Sequence, residues 1–355
     1  MTFGQKSDSL QALRGLAATL VAAFHLNGAG VEGSNYVGFF NLFSHGEVGV
    51  DIFFVISGFI IFYTSKLKRK TSVKNFIAGR FWRILPPYWA VLAIYVGLAI
   101  GLGVVFGDMS KIPTPRTLFD SFFLLPGPQH VITISWTLTI ELVFYLVFAI
   151  GFFRFGEKRF LLTMVVWVIL TQIYKNQDVV QSIALNFVLH ACVLEFLFGV
   201  MIARLFLAGE TRGQAPAFVI GVLLLLATMA GLFDDAPSYI SREVLAGIPA
   251  ALIIYGALGW RRPVPGIIML WGEASFLLYL LHLIVFSVTG RLAEIVLGVD
   301  VYASTLWMLF MPALATVVSC LATLFIERPY QAWYKSRFTH RKKDGAAASV
   351  AAAVD

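Results

Sequence analysis

The sequence predicts an all-α, polytopic integral membrane protein of about ten transmembrane helices, with both termini in the cytoplasm. Three observations predict it. Of the 355 residues, 59% are hydrophobic and only 13% are charged, about half the charged share of a soluble domain. Apolar runs of roughly 20 residues, long enough to cross a ~30 Å hydrocarbon core, recur along the whole chain. The cationic residues are also sorted by side. With loops assigned alternately from a cytoplasmic N-terminus, all but five of the 27 Lys and Arg residues fall inside. The exceptions are Lys111, Arg116, Lys175, Arg242 and Arg291. That bias orients membrane proteins, so the net charge of +7 reads as topology and no nucleic-acid partner is expected.

The runs place spans at about 10–28, 48–65, 84–106, 133–153, 160–175, 183–203, 216–233, 243–259, 266–289 and 302–326. They form a single membrane domain over residues 1–340, and 341–355 reads as a disordered Lys- then Ala-rich cytoplasmic tail. The first span lacks a small-residue cleavage site and carries an arginine, so no signal peptide is expected. Cys192 and Cys320 both lie in apolar runs, so no disulfide framework is implied.

The first span, Leu10 to Asn27, holds two ionisable residues, Arg14 and His25. A charge in hydrocarbon costs at least ~2.5 kcal/mol, which makes each a functional-site hypothesis. His25 stands about 16 Å further along the helix axis than Arg14. One helix thus offers a cation near the inner face and an imidazole toward the outer one. The second span runs H-G-E-V-G-V-D-I-F-F-V-I-S-G-F, from His45 to Phe59. Gly46, Gly49 and Gly58 permit close helix approach. Ser57 can donate inside a bundle, and Glu47 and Asp51 sit at the outer end. Packing accounts for the glycines but not for Asp51.

The third span opens R-F-W-R-I-L-P-P-Y-W. Arg80 and Arg83 are three residues apart and share a helix face at the cytoplasmic boundary. With Trp82 they suit a phosphorylated, aromatic ligand through bidentate bonds and stacking. Ordinary positive-inside anchoring is the plainer reading of such a pair. Pro86 and Pro87 are expected to distort or delay the helix start. The outer loop 107–132 carries an apolar patch, Ser121 to Leu125, that reads as a membrane dip or a lid.

Glu141, in S-W-T-L-T-I-E, lies ~12–14 Å inside the fourth span, at a depth overlapping that of His25. A carboxylate beside a histidine orients and basifies it. A structural hydrogen bond is the alternative, and Asp51 is the second candidate acid. The last span ends I-E-R-P, where Glu327 and Arg328 precede the stop at Pro329. Arg328, Arg14, Arg80 and Arg83 form a candidate anion site, although snorkelling explains each singly. His282, Glu195 and Glu273 read as interhelical hydrogen-bonding groups. His45, His130 and His190 lie near the outer face, within reach of an external substrate. No metal-ligand spacing occurs, so no metal site is expected. No internal repeat supports an inverted-repeat transporter.

The set L-R-G-L-A-A with His25 downstream, G-V-D-I-F-F-V-I-S-G-F, R-F-W-R-I-L-P, S-W-T-L-T-I-E and I-E-R-P, in this order over Leu10 to Pro329, resembles the membrane acyltransferase-3 family. The compact form is similar to bacterial exopolysaccharide and O-antigen O-acetyltransferases. The resemblance implies a multi-pass enzyme of the bacterial cytoplasmic (inner) membrane. It would move an acetyl or other acyl group from cytoplasmic acetyl-CoA to a hydroxyl of a cell-surface or lipid-linked glycan, with acetyl-CoA as cosubstrate and no tightly bound cofactor. His25 would be the family's essential histidine and Arg14 its first-helix arginine. Arg80 and Arg83 would be its R-x-x-R pair, Ser57 part of its S-G-F element, and Glu327 and Arg328 its terminal acid–arginine pair. Thr137 and Thr139 depart from the usual serine and small apolar residue. The expected mechanism has the arginines holding CoA phosphates and His25 acting as general base, with Glu141 or Asp51 orienting it. An acetyl-histidine intermediate is the rival route. The competing class is a glycan or lipid-intermediate flippase, which would bind no CoA. A scaffolding protein would have little reason to keep Arg14, His25 and Glu141 in lipid.

Overall fold

The computed structural model describes residues 3–27, 43–67, 72–107, 109–175, 182–237, 241–298 and 305–337. The basic residues Lys68, Arg69 and Lys70, and the tail from Arg341, lie outside them. Among the described residues the regular structure is all helical. Helix α1 spans Phe3–Asn27, α2 Val48–Leu67, α3 Val73–Phe106, α4 Pro115–Phe123 and α5 Trp136–Phe155. Then come α6 Glu157–Lys175, α7 Ile183–Val188, α8 Val193–Leu207, α9 Gln214–Met229 and α10 Arg242–Ala257. Helices α11 Gly266–Glu273, α12 Ser275–Leu297 and α13 Thr305–Ala322 complete the set. A π-helical turn, Thr323–Glu327, follows α13, and helix resumes over 328–337.

Seven helical stretches are long and apolar enough to cross a membrane, so the protein is multi-pass. Helices also stand where the other expected spans fall, but they do not meet the same requirement. Helices α9 and α10 have 16 residues each, about 24 Å at ~1.5 Å per residue. Helix α6 opens on Glu157, Lys158 and Arg159, which dilute its apolar window. The span expected over 266–289 is broken at Ala274 into α11 and α12.

The bundle is organised around α2, which packs on α1, α8 and α10. Its approach to α8 is close enough to require glycine: a Cβ on Gly199 would sit 2.1 Å from the Val55 carbonyl oxygen. Likewise a Cβ on Gly49 would sit 2.2 Å from the carbonyl oxygen of Ala17 in α1. In a membrane, where lipid is as apolar as leucine, such backbone-to-backbone packing drives helix association. Phe144 of α5 then stacks on Phe196 of α8, with centroids 3.9 Å apart. We expect Gly199→Val to abolish recovery of monodisperse protein on size exclusion. Gly97→Ala, at a position with no atom within 4 Å of the added methyl, should be recovered as wild type.

Helix α3 starts earlier than Pro86 and Pro87 imply. Ser72 caps it, its hydroxyl accepting from the Asn75 N–H at 3.2 Å, and the helix runs on through both prolines for 34 residues. Neighbouring helices in a bundle compensate the lost backbone bond. Arg80 and Arg83 therefore lie inside α3, on its exposed early turns. Beyond its far end, α4 is pinned back on α3. The Tyr88 hydroxyl donates to the Ser121 carbonyl at 2.8 Å and the Trp89 indole N–H to the Phe122 carbonyl at 2.8 Å. The expected membrane dip or lid is thus the end of a short helix held by two anchored rings.

Candidate active site

A cavity of about 540 Å3 opens at the end of the bundle where α3 begins. Arg14 of α1, Arg80 and Arg83 of α3, and Arg328 and Lys335 after the π-turn line it. Arg80 lies over two rings, 5.3 Å from the Phe76 centroid and 5.4 Å from that of Tyr145, which fixes a buried guanidinium by cation–π attraction. Arg14, Arg80 and Arg83 have no carboxylate within 4 Å among the described residues. Arg328 does, with Nε and Nη2 both donating to one oxygen of Glu273, at 3.0 and 2.7 Å. Trp82 and Tyr334 stack at the same mouth, centroids 5.7 Å apart, and the Tyr330 hydroxyl donates to the Trp82 carbonyl at 2.8 Å. The π-turn widens the helix just before Glu327 and Arg328 and brings both to the wall. Such turns recur at functional sites.

Deeper in, the wall is mostly apolar, with Val50, Phe53, Phe54, Ile56, Ile60 and Leu138, and Ser57, Glu141 and Tyr145 are polar groups set into it. One oxygen of the Glu141 carboxylate accepts from the Ser57 hydroxyl at 2.7 Å and from the Tyr145 hydroxyl at 2.5 Å. The cavity ends at Thr137 and Tyr279. The Tyr279 hydroxyl donates to the Ile134 carbonyl at 2.9 Å and lies 2.8 Å from the Thr137 Oγ1. Thr137, one of the two departures from the family pattern, is thus the partner that closes the cavity.

His25 does not line this cavity. It lies behind Tyr279 and His282, whose ring centroids are 6.2 Å apart, and its own ring centroid is 5.1 Å from that of His282. Its Nδ1 is 2.8 Å from the Val21 carbonyl and 3.3 Å from Nε2 of His282. His282 is fully buried, with its Nδ1 3.0 Å from the Leu278 carbonyl. A carbonyl only accepts, so each Nδ1 carries the hydrogen. His282 then presents a lone pair to the Nδ1–H of His25, a hydrogen shared with the Val21 carbonyl, and among the described residues none hydrogen-bonds Nε2 of His25. The hydrogen bonds of the Glu141 carboxylate go to Ser57 and Tyr145, and the side chain beside Nδ1 of His25 is that of a second histidine, His282. Asp51 is engaged elsewhere, with Oδ2 2.6 Å from Nη2 of Arg242.

Sequence reasoning read His282 as an interhelical hydrogen-bonding group, which it is, but missed that its partner is His25. It also left Arg242 unpaired, although an outer arginine and an outer aspartate at similar depth were a signal. Tyr279 carried no signal, because an aromatic in an apolar run looks like core. Among the described residues, His190, Cys192 and Glu243 bring one ligand-type atom each within 4.8 Å of one another, a set that no sequence spacing announced.

The acyltransferase-3 family model, an acyltransferase domain, matches residues 7–326. The chain is 29% identical to the exopolysaccharide production protein ExoZ of Rhizobium meliloti, over 81% of this chain and 90% of that protein. It is 26% identical to the acyltransferase MdmB of Streptomyces mycarofaciens, over 90% of each. With the peptidoglycan O-acetyltransferase OatA of Listeria monocytogenes it shares 28% identity, over 59% of this chain and 33% of that one. No solved structure matches. A family match over nearly the whole chain, around a basic cavity that narrows onto buried hydroxyls, leads to one conclusion: the chain belongs to the acyltransferase-3 family and is an acyltransferase.

Proposed function

We propose that the protein is a membrane O-acetyltransferase that moves an acetyl group from cytoplasmic acetyl-CoA to a hydroxyl of a glycan on the other side of a bacterial inner membrane. The observation that carries this is the polarity of the cavity. Its mouth concentrates cations and stacked aromatics, and its interior is an apolar passage in which Ser57, Glu141, Tyr145, Thr137 and Tyr279 are the polar groups. That order matches a donor with phosphates and a purine at one end and a thin thioester-bearing arm at the other. The relatives named for exopolysaccharide production and peptidoglycan O-acetylation support a glycan acceptor. In this reading both termini face the cytoplasm, in keeping with the distribution of Lys and Arg.

In this mechanism Arg14, Arg80 and Arg83 take the phosphates, with Arg328 released from Glu273 to join them. Trp82 and Tyr334 flank the purine. The arm passes Ser57, Glu141 and Tyr145 and brings the thioester to Tyr279. The Nε2 of His25 removes the proton of the acceptor hydroxyl as its oxygen attacks the thioester carbonyl. Collapse of the tetrahedral adduct breaks the C–S bond, and the sulfur leaves with the proton His25 took. Val21 and His282 hold the imidazole's other nitrogen throughout. Glu141 acts on Ser57 and Tyr145 rather than on His25.

The test uses full-length protein in lipid nanodiscs, radiolabelled acetyl-CoA and polysaccharide stripped of its esters by mild alkali. We expect label in the polysaccharide, removable by alkali. Translocation of glycan with no CoA binding would instead identify a flippase. In the same preparation, Arg80→Ala with Arg83→Ala should weaken CoA binding at least tenfold, read by equilibrium dialysis. Unchanged affinity would remove the phosphate site from this face. A charge-assisted contact of this kind contributes about 1.5–3 kcal/mol, so tenfold is the lower end.

A further inference from the structure

A second cavity of about 750 Å3 lies at the opposite end of the bundle. It sits beyond the C-terminal end of α3 and around the N-terminal end of α5, whereas the basic cavity opens at the start of α3. Its chemistry is the inverse of the first. Among its described lining residues there is no Lys, Arg, Asp or Glu. The wall instead offers the rings of Trp136 and Phe187, the amides of Gln129 and Asn186, the hydroxyls of Thr114 and Thr133, and His130. Gln129, Asn186, Thr114 and Thr133 are exposed and Trp136 is half-buried.

The wall is held in place before any ligand arrives. His130 is braced on both nitrogens, Nε2 at 2.8 Å from the Leu125 carbonyl and Nδ1 at 3.1 Å from the Ser135 hydroxyl. The Val131 N–H donates to the Ser121 hydroxyl oxygen at 2.8 Å, and Ser121 is in turn tied to Tyr88. A polar wall pre-organised in this way loses little entropy on binding. The two cavities share no lining residue, but they meet neighbouring positions of the chain: Thr133 and Trp136 line this groove, and the next residue, Thr137, lines the basic cavity with Tyr279.

We infer that this groove is the acceptor site, and that it takes a neutral, polyhydroxylated sugar whose apolar ring face packs on Trp136 while Gln129 and Asn186 bond its hydroxyls. Planar amides paired with an aromatic face suit sugar rings, and the described lining residues supply no cation for a phosphorylated or sulfated ligand. The volume lies within the ~300–1,000 Å3 range of small-ligand sites and admits a few sugar units of a longer chain. This inference rests on the acyl-transfer reading above and adds the place and the chemistry of acceptor binding.

The experiment measures ester formation by mass spectrometry in full-length protein in nanodiscs, with saturating acetyl-CoA. The acceptor is a series of oligosaccharides from the producing bacterium's own extracellular polysaccharide, stripped of esters by mild alkali. Trp136→Ala should raise the acceptor KM at least tenfold, and Trp136→Phe, which keeps a ring, no more than threefold. The double variant Gln129→Ala, Asn186→Ala should raise it at least fivefold. Trp260→Ala, on an exposed tryptophan remote from both cavities, should leave it unchanged. Because the double variant alters only exposed side chains, it decides the matter if Trp136→Ala does not fold. Wild-type transfer with an unchanged KM in the double variant and in any folded Trp136→Ala would place the acceptor elsewhere and overturn the groove alone. Wild-type protein that forms no ester on any of these oligosaccharides would overturn the acyl-transfer reading and the groove with it.

Discussion

Alanine at His25 should lower kcat for acetyl transfer by two to four orders of magnitude while leaving the CoA affinity unchanged, because general-base assistance is typically worth ~10²–10⁴-fold. The CoA affinity is expected to hold because His25 does not line the cavity that receives the donor. The informative companion is His282. If it only fills space, His282→Leu should be tolerated. If its Nε2 lone pair, 3.3 Å from Nδ1 of His25, fixes that ring, then His282→Leu should cost about tenfold to a hundredfold in kcat with little change in either KM. His282→Gln, which places an acceptor oxygen near the same point, should recover most of the loss. Full transfer by His25→Ala would end the general-base proposal. Equal activity of the Leu and Gln variants would end the positioning role.

Removal of Arg242 should be the most damaging single change to stability. Its Nη2 lies 2.6 Å from Asp51, whose side chain is fully buried. Glu195, also fully buried, has no hydrogen-bond partner for either oxygen. The arginine thus holds an acid-rich pocket together. Asp51 is buried while the Arg242 side chain is 40% exposed, so loss of the arginine leaves a buried acid without its partner at a cost below the ~3–5 kcal/mol of a fully buried pair. Arg242→Ala should lower the midpoint of thermal denaturation in detergent sharply, with loss of monodisperse protein. The double replacement Arg242→Leu, Asp51→Leu should be much milder than the sum of the two single changes, since it leaves no orphan charge. Strict additivity in that double-mutant cycle would mean the pair does not interact.

Much of the architecture was legible in the chain, because a membrane span is written as an apolar run of fixed length. Helices stand at each predicted position from Leu10 onward. What eluded the sequence were facts set by neighbours rather than by the run itself. Helix α3 begins at Val73, since a Ser72 cap and packing outweigh Pro86 and Pro87. The break at Ala274 has no proline to announce it. At the site, Arg14, Arg80, Arg83, Ser57, Glu141, Glu327 and Arg328 were all picked out in advance, and all line one cavity. Their types betrayed them, because charge in an apolar run is conspicuous. Pairings were harder. Depth put Glu141 in range of His25, with Asp51 as the second acid, and only the three-dimensional structure brings His282 to that ring. Tyr279 was hidden, because hydroxyls within apolar helices are common and cheap, and Thr137 stood out only as a departure from the family pattern.

The closure those two residues form bears on the cell as a whole. An enzyme that takes its donor from one side of an energised membrane and its acceptor from the other holds two water-accessible cavities end to end. A continuous polar path between them would carry ions down the membrane potential, at about 2.3 kcal/mol per elementary charge for each 100 mV. The Tyr279 phenol, tied to Ile134 and Thr137, stands at the wall of the basic cavity that faces the groove. Under the proposed function, each turnover hands an acetyl group past that ring without opening a path for protons. The phenotype to look for in a Tyr279→Ala strain is then not only unacetylated polysaccharide but a leaking membrane.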